Sequence, residues 1–172
     1  MQGVKVNSVS HFEATLDGQD HSIDNLKITA PLFVENVGKI KNLKIGSTCQ
    51  IVPNSAIFAP VVMNNLNLGE LDKVVNNAAV KFESDVHVDG GALLAGLVVY
   101  NRGVVQNCEN YGEVSYVVNA TSDPWGVAGL VSTNGGKVDN CSNKGKIGEK
   151  RQFYLKISRF CLDFSELLFS SH

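Results

Sequence analysis

Charge is sparse in this chain. Only 19% of its 172 residues are Asp, Glu, Lys or Arg, and 15 bases against 17 acids leave a formal net charge of −2. A surface that gathers polyanions through excess positive charge is excluded, and no nucleic-acid partner is expected. No apolar run approaches the roughly 18 residues of a membrane-spanning helix, so no membrane span is expected. No apolar stretch of about 7–15 residues follows Met1-Gln2-Gly3-Val4-Lys5, so no secretory signal is read there. The chain is expected to be part of a larger polypeptide. Its four cysteines, Cys49, Cys108, Cys141 and Cys161, show no Cys-x-x-Cys spacing, which removes zinc-ribbon and thioredoxin-type readings. No cofactor is expected.

What is present is apolar residues and turn formers. At 44% hydrophobic the chain can bury a core, and its length suits one folded unit. Sixteen Gly and seventeen Asn stand against four Pro. Gly and Asn both take left-handed backbone angles at little cost, so many tight turns are implied.

The chain repeats itself. A shift of 33 residues lays Ala95-Gly96-Leu97-Val98 on Ala128-Gly129-Leu130-Val131. The same shift lays Asn101, Gly103, Val105, Asn107, Cys108, Asn110, Gly112 and Val114 on Asn134, Gly136, Val138, Asn140, Cys141, Asn143, Gly145 and Ile147. Earlier copies are more diverged. Ala30-Pro31-Leu32-Phe33 and Ala59-Pro60-Val61-Val62 take the Ala-Gly-Leu-Val place, and Gly38-Lys39-Ile40-Lys41-Asn42-Leu43 and Gly69-Glu70-Leu71-Asp72-Lys73-Val74 the second. A shorter step of 17 residues relates Ile23-Asp24-Asn25-Leu26-Lys27-Ile28 to Ile40-Lys41-Asn42-Leu43-Lys44-Ile45.

The repeating unit is β, because polar and β-branched apolar residues alternate within it. In Ile40-Lys41-Asn42-Leu43-Lys44-Ile45 the period of two breaks at Asn42, the residue type suited to a left-handed corner. Asn25, Asn42, Asn107 and Asn140 are therefore expected to stack as an amide ladder, with Lys73 as the local departure. Leu26, Leu43, Val74, Cys108 and Cys141 are expected just inside it. A unit whose apolar face only the next copy can cover forms a solenoid. The fold expected is all-β, a right-handed parallel β-helix of about five turns and roughly 24 Å tall, spanning residues 1–148.

These residues resemble a known family. Asp17-Gly18-Gln19-Asp20-His21-Ser22-Ile23-Asp24-Asn25-Leu26, with Ala95-Gly96-Leu97-Val98 and two Gly-x-Val-x-Asn-Cys copies at Gly103 and Gly136, is similar to GLUG-motif repeats. Ala14, Asp20, Pro31 and Pro60 depart from the usual pattern. The resemblance implies a surface-exposed β-solenoid of the kind found in large bacterial surface and secreted proteins, particularly of gut Bacteroidetes, and beside immunoglobulin A peptidase domains. It carries no catalytic residue with it.

Several clusters invite chemistry. Asp85-Val86-His87-Val88-Asp89 puts two carboxylates and an imidazole on one strand face, a set that suits divalent cations but reads more simply as a solvated strand. Asp17, Asp20, His21 and Asp24 read as a turn feeding a strand, without calcium-loop spacing. No metal site is assigned. Parallel β-helices also host polysaccharide lyases and hydrolases, which need two carboxyls converging over a groove. Glu70, Asp72, Glu109, Glu113 and Asp139 are not held at one repeat position, so they read as an outer face and no catalytic residue is assigned. Trp125, the only Trp, follows Ser122-Asp123-Pro124 in a polar segment, and Tyr100, Tyr111 and Tyr116 belong to the copy before it. Exposed aromatic rings offer flat faces to a sugar or a protein, which makes Trp125, Tyr100 and Tyr111 the candidate ligand-binding residues. Stacked in adjacent turns, Cys108 and Cys141 would lie about 4.8 Å apart, within disulfide range, but read more simply as inward thiols. Asn119-Ala120-Thr121 and Asn140-Cys141-Ser142 match the glycosylation pattern.

Residues 149–172 change character. They contain no Gly and no Asn but half of the eight Phe, namely Phe153, Phe160, Phe164 and Phe169. Their periodicity predicts an amphipathic helix, read as a cap on the open C-terminal turn, with a membrane-surface or partner helix, or a tail foreign to the domain, as alternatives. The function expected is a non-catalytic module at the bacterial cell surface or secreted, serving adhesion, glycan or protein binding, or structural spacing. Its expected partners are a glycan or a host or cell-surface protein. The alternative is a carbohydrate-active β-helix enzyme.

Overall fold

The computed structural model describes residues 4–5, 7–84, 92–118 and 126–148. The chain winds through five turns of a parallel β-helix, as the repeats predict. The first sheet holds Val4–Lys5, Leu26–Ile28, Gln50–Ile51, Val80–Ser84 and Val114–Val118. The second holds Val9–Phe12, Phe33–Asn36, Val62–Asn65, Val98–Asn101 and Val131–Asn134. Thr15–Asp17, Lys39–Lys41, Glu70–Asp72, Val104–Gln106 and Lys137–Asp139 make the third. The fourth is Ser22–Ile23, Lys44–Ile45, Val75–Asn76, Glu109–Asn110 and Ser142–Asn143. Every named pairing is parallel, one turn to the next.

Register follows the apolar pattern. Leu16, Ile40, Leu71, Val105 and Val138 stack in the third sheet, and the middle three have 0% exposure. Ile28, Ile51, Val80 and Val114 stack in the first, and Ile147 bridges to Val114 to begin a sixth turn. Each turn covers its neighbour's apolar face, so the core runs the length of the column.

Turn length is uneven. It is 24 residues from His11 to Glu35, 29 from Asn36 to Asn65, 36 from Asn65 to Asn101, and 33 from Asn101 to Asn134. The extra chain enters the arc between the first and second sheets. There Ile57–Phe58, Leu93–Ala95 and Gly126–Ala128 form a fifth, three-stranded sheet that the first two turns lack.

The corner between the third and fourth sheets turns as predicted. Asn42, Lys73, Asn107 and Asn140 occupy it with φ of 52°, 54°, 53° and 47°. Asn25 is also left-handed at 57°, but at another corner, between the fourth and first sheets. Its amide N–H donates to Thr48 Oγ1 at 3.1 Å, and Leu26 pairs with Val4, so neither belongs to the column of Asn42 and Leu43. The step of 17 residues compares two different corners, each passed through Asn-Leu, and not two turns. The first turn passes the Asn42 corner through Gly18, Gln19, Asp20 and His21, with φ of 50° at Gln19 and 61° at Asp20.

Two further amide ladders lie inside. Asn36 Nδ2 donates to Asn65 Oδ1, Asn65 Nδ2 to Asn101 Oδ1, and Asn101 Nδ2 to Asn134 Oδ1, each at 2.8 Å. In the fourth sheet Asn76 Nδ2 donates to Asn110 Oδ1 at 2.9 Å, and Asn110 Nδ2 to Asn143 Oδ1 at 2.8 Å. Buried amides are costly without partners. Here the amides also bond backbone, as when Asn76 accepts from the Ala78 N–H and donates to the Ala78 carbonyl, or when Asn65 Nδ2 donates to the Gly69 carbonyl at 3.2 Å. The turns approach closely beside the first ladder. A Cβ on Gly103 would fall 2.1 Å from the Gly69 carbonyl oxygen, and one on Gly136 2.2 Å from that of Gly103, so this position excludes side chains.

The outer face of the third sheet neutralises itself across turns. Lys41 pairs with Asp17 at 3.2 Å, Lys39 with Glu70 at 2.8 Å, and Gln106 Nε2 donates to Glu70 Oε1 at 3.1 Å. Such exposed pairs add little stability, yet alternating signs disfavour a slipped register. At both ends the core is partly open, with Phe12, Leu16 and Ile23 in the first turn and Val131, Val138 and Cys141 in the fifth only half-buried. The helix and cap expected over residues 149–172 lie outside the described residues. Among the described residues no helix is long and apolar enough to cross a membrane.

Candidate functional site

The outer surface where the fourth sheet ends carries the best-formed cluster of ligand-capable side chains. Tyr111 follows Glu109–Asn110 directly and is 44% exposed. Its hydroxyl donates to Glu109 Oε2 at 2.9 Å and accepts from Lys144 Nζ at 2.8 Å. Lys144 Nζ also donates to Glu109 Oε1 at 2.8 Å, and Ser142 Oγ donates to the same oxygen at 3.3 Å. The ammonium lies 4.7 Å from the ring centroid and so sits at the hydroxyl end of the ring.

Charge and hydrogen bonding support one another in this cluster. The Lys144 ammonium, with the Tyr111 hydroxyl, holds the Glu109 carboxyl below its usual range. Glu109 in turn, with Tyr111, pushes Lys144 up to about 12. A carboxylate, an ammonium and a phenol therefore stand fixed around one exposed ring. A flat apolar face with hydrogen-bonding groups at its edge suits a sugar ring or a polar protein surface.

The solenoid builds this cluster through its repeat. Glu109 pairs with Ser142 in the fourth sheet, and Lys144 lies 33 residues beyond Tyr111, directly in the next turn. Sequence reasoning singled out Tyr111 but not Ser142 or Lys144. The 33-residue shift was the signal that would have placed both beside it.

The other aromatic candidates lie elsewhere. Tyr100 is on the second sheet, paired with Asn64 and Thr133. It packs half-buried with Met63 and Leu93 on a small cluster of Ala59, Ala95 and Val99, separate from the main core. The third sheet separates Tyr100 from Tyr111 along the turn, so the two are not joined in one platform. Trp125 lies outside the described residues, as do Asp85 through Asp89 and Asn119. Tyr116 is a core residue, 4% exposed, stacked on Phe82 at 5.8 Å, and burial pushes its phenol pKa up.

The acidic candidates are spread over separate partners. Asp17 accepts from Asn42 Nδ2 at 2.9 Å and from the Gln19 N–H at 2.9 Å; these bonds and the Lys41 ammonium hold its carboxyl at about 2. Asp20 faces Lys44 at 3.4 Å, and Asp24 accepts from Thr48 Oγ1 at 2.8 Å. Asp72 accepts from Asn107 Nδ2 at 2.7 Å, and Asp139 pairs with Lys137 at 2.9 Å. Among the described residues no group of three or more His, Cys, Asp or Glu is placed to hold a metal ion.

Cys108 and Cys141 stack as free thiols in the column of Leu43 and Val74. The Cys108 N–H donates to Cys141 Sγ at 3.4 Å. Asn140, the asparagine of the second glycosylation pattern, donates its Nδ2 to Asn107 Oδ1 at 2.7 Å, so a glycan there would break a cross-turn bond.

No protein-family model matches this chain, nor does any curated protein or solved structure.

Proposed function

We propose that the chain is a non-catalytic repeat module of a secreted or surface-exposed bacterial protein of the GLUG-like kind its repeats resemble. It binds a glycan or a host or cell-surface protein through the Tyr111 patch and spaces the parts of a larger polypeptide along its axis. The observation that carries this reading is the exposed Tyr111 ring, with Glu109 and Lys144 fixed at its hydroxyl and Ser142 beside Glu109. A preformed polar edge beside an aromatic face binds without the entropy cost of ordering those side chains. The filled interior supports the spacing role, since a column packed with side chains along its length resists bending and compression.

Binding of the full chain to a glycan array and to immobilised mucin and cell-surface protein extracts tests the reading. Tyr111→Ala is expected to weaken the strongest signal at least tenfold, and Lys144→Ala several-fold, with thermal stability nearly unchanged. Trp125→Ala tests the second aromatic residue in the same assay. A signal untouched by all three substitutions, or no signal above background, overturns the binding role.

A further inference from the structure

The two stacked thiols form a chemical site that the proposed binding role does not use. Gln106 pairs with Asp139 before them and Glu109 with Ser142 after them, so Cys108 and Cys141 occupy one register position in adjacent parallel turns. Neighbouring parallel strands lie about 4.8 Å apart, inside the roughly 4.4–6.8 Å Cα separation that a disulfide spans. The sulfurs belong to one hydrogen-bonded unit. Cys141 Sγ accepts from the Cys108 N–H at 3.4 Å, and the Cys108 thiol donates to the Gln106 carbonyl at 3.0 Å.

The two cysteines differ in a useful way. Cys108 has 0% exposure, whereas Cys141 lies in the half-buried fifth turn. The contact with Cys108, including its amide N–H, lowers the Cys141 thiol pKa, against burial and the charge of Asp139. The same contact, with burial, pushes Cys108 up. Cys49 shows the contrast: it is buried, donates to the Ile23 carbonyl at 3.1 Å, and shares its column with Leu26 instead of a second sulfur.

We propose that Cys108 and Cys141 are a thiol–disulfide exchange site, which a low-molecular-weight disulfide oxidises to a bond stitching the fifth turn to the fourth. The Cys141 thiolate attacks one sulfur of the small disulfide. A Cys141–S–S–R bond forms, the original S–S bond breaks, and the leaving thiolate takes a proton. Capping Cys141 removes the negative charge that opposes ionisation of Cys108. Cys108 then loses that proton to solvent base and attacks Cys141 Sγ, forming the protein disulfide and expelling the second thiolate. Two protein thiols are oxidised by two electrons, and one disulfide is reduced to two thiols. The bond closes a loop across the 33 residues that separate the two sulfurs.

The test uses the full chain carrying Cys49→Ser and Cys161→Ser, incubated with oxidised glutathione at neutral pH and digested with trypsin without reduction. The expected product is the peptide from Gly103 to Lys137 linked to that from Val138 to Lys144, two hydrogens lighter than their sum. It should form without lasting glutathione adduct and raise the unfolding midpoint by about 5–10 °C over the reduced protein. Adding Cys108→Ser is expected to trap glutathione on Cys141, while Cys141→Ser abolishes reaction at Cys108. The proposal is overturned if no linked peptide forms, if glutathione remains on Cys141 with Cys108 intact, or if Cys108 reacts as fast without Cys141.

Discussion

The first two turns and the last three solve the same packing problem with different materials. At the inner end of the second sheet, Phe12 pairs with Asn36, and Asn65, Asn101 and Asn134 follow above. At the inner end of the fourth, Ile23 and Ile45 give way to Asn76, Asn110 and Asn143. The first turn is short and filled with hydrocarbon, its Phe12 ring 4.9 Å from Phe33. The later turns are longer, carry the additional sheet, and have asparagine at both places. An interior amide is tolerable here because another amide lies one turn away, so the ladders are properties of neighbouring turns and not of single residues.

That contrast can be broken where no amide ladder runs. Ile40→Asn, in the all-apolar third-sheet column, should cost about 4 kcal/mol or more, because it removes core hydrocarbon and buries an amide with no amide neighbour. Ile45→Asn lies next to Asn76, whose oxygen can accept its N–H, and should cost about half as much. Urea titration of both variants measures the gap, and equal costs would remove the neighbour argument.

The reverse exchange sharpens the same point. Asn101→Leu deprives Asn65 of an acceptor and Asn134 of a donor, and is expected to cost about 3 kcal/mol. Phe12→Leu in the hydrocarbon turn should cost about 1 kcal/mol, measured in the same titration. At the outer corner, Lys73→Asn puts the residue type of the neighbouring turns at φ 54° and should stabilise by about 0.5 kcal/mol, a rise of about 1–2 °C in melting temperature.

The smallest effect concerns acid. Asp17 in the first turn is held at about 2, below its unfolded value near 4. The stability from its bonds to Asn42, Gln19 and Lys41 is fully present above pH 4 and is lost as pH falls toward 2. Melting temperature recorded between those limits should fall less steeply for Asp17→Asn than for the parent chain.

Much of this architecture is legible in the residues. The 33-residue shift carries the register of the last two turns directly, and the broken alternation at Asn42 locates a corner that the backbone angles bear out. The diverged earlier copies align as well, since Phe33 and Val62 pair with the position of Val98. The inner ladders were hidden because an asparagine reads as polar and outward unless its neighbour across the turn is known. Asn25 and Leu26 were misplaced because two different corners use the same Asn-Leu step. At the candidate site, Tyr111 is legible as one of three candidate aromatic residues, whereas Lys144 and Ser142 reach it only through the stack.

The inner ladders also give the column a polarity. In both, every amide-to-amide bond donates toward the later turn, and backbone N–H groups two residues on hold the oxygens of Asn36, Asn76 and Asn134. Aligned side-chain dipoles add along the axis as peptide dipoles do in a helix. The outer series from Asn140 through Asn107 to Asp72 runs the opposite way. At the two ladder positions the early end presents Phe12 and Ile23, and the late end presents Asn134 and Asn143. Among the described residues the two ladder positions therefore run from hydrocarbon to amide, and a further turn with asparagine at both positions would continue the column without a seam.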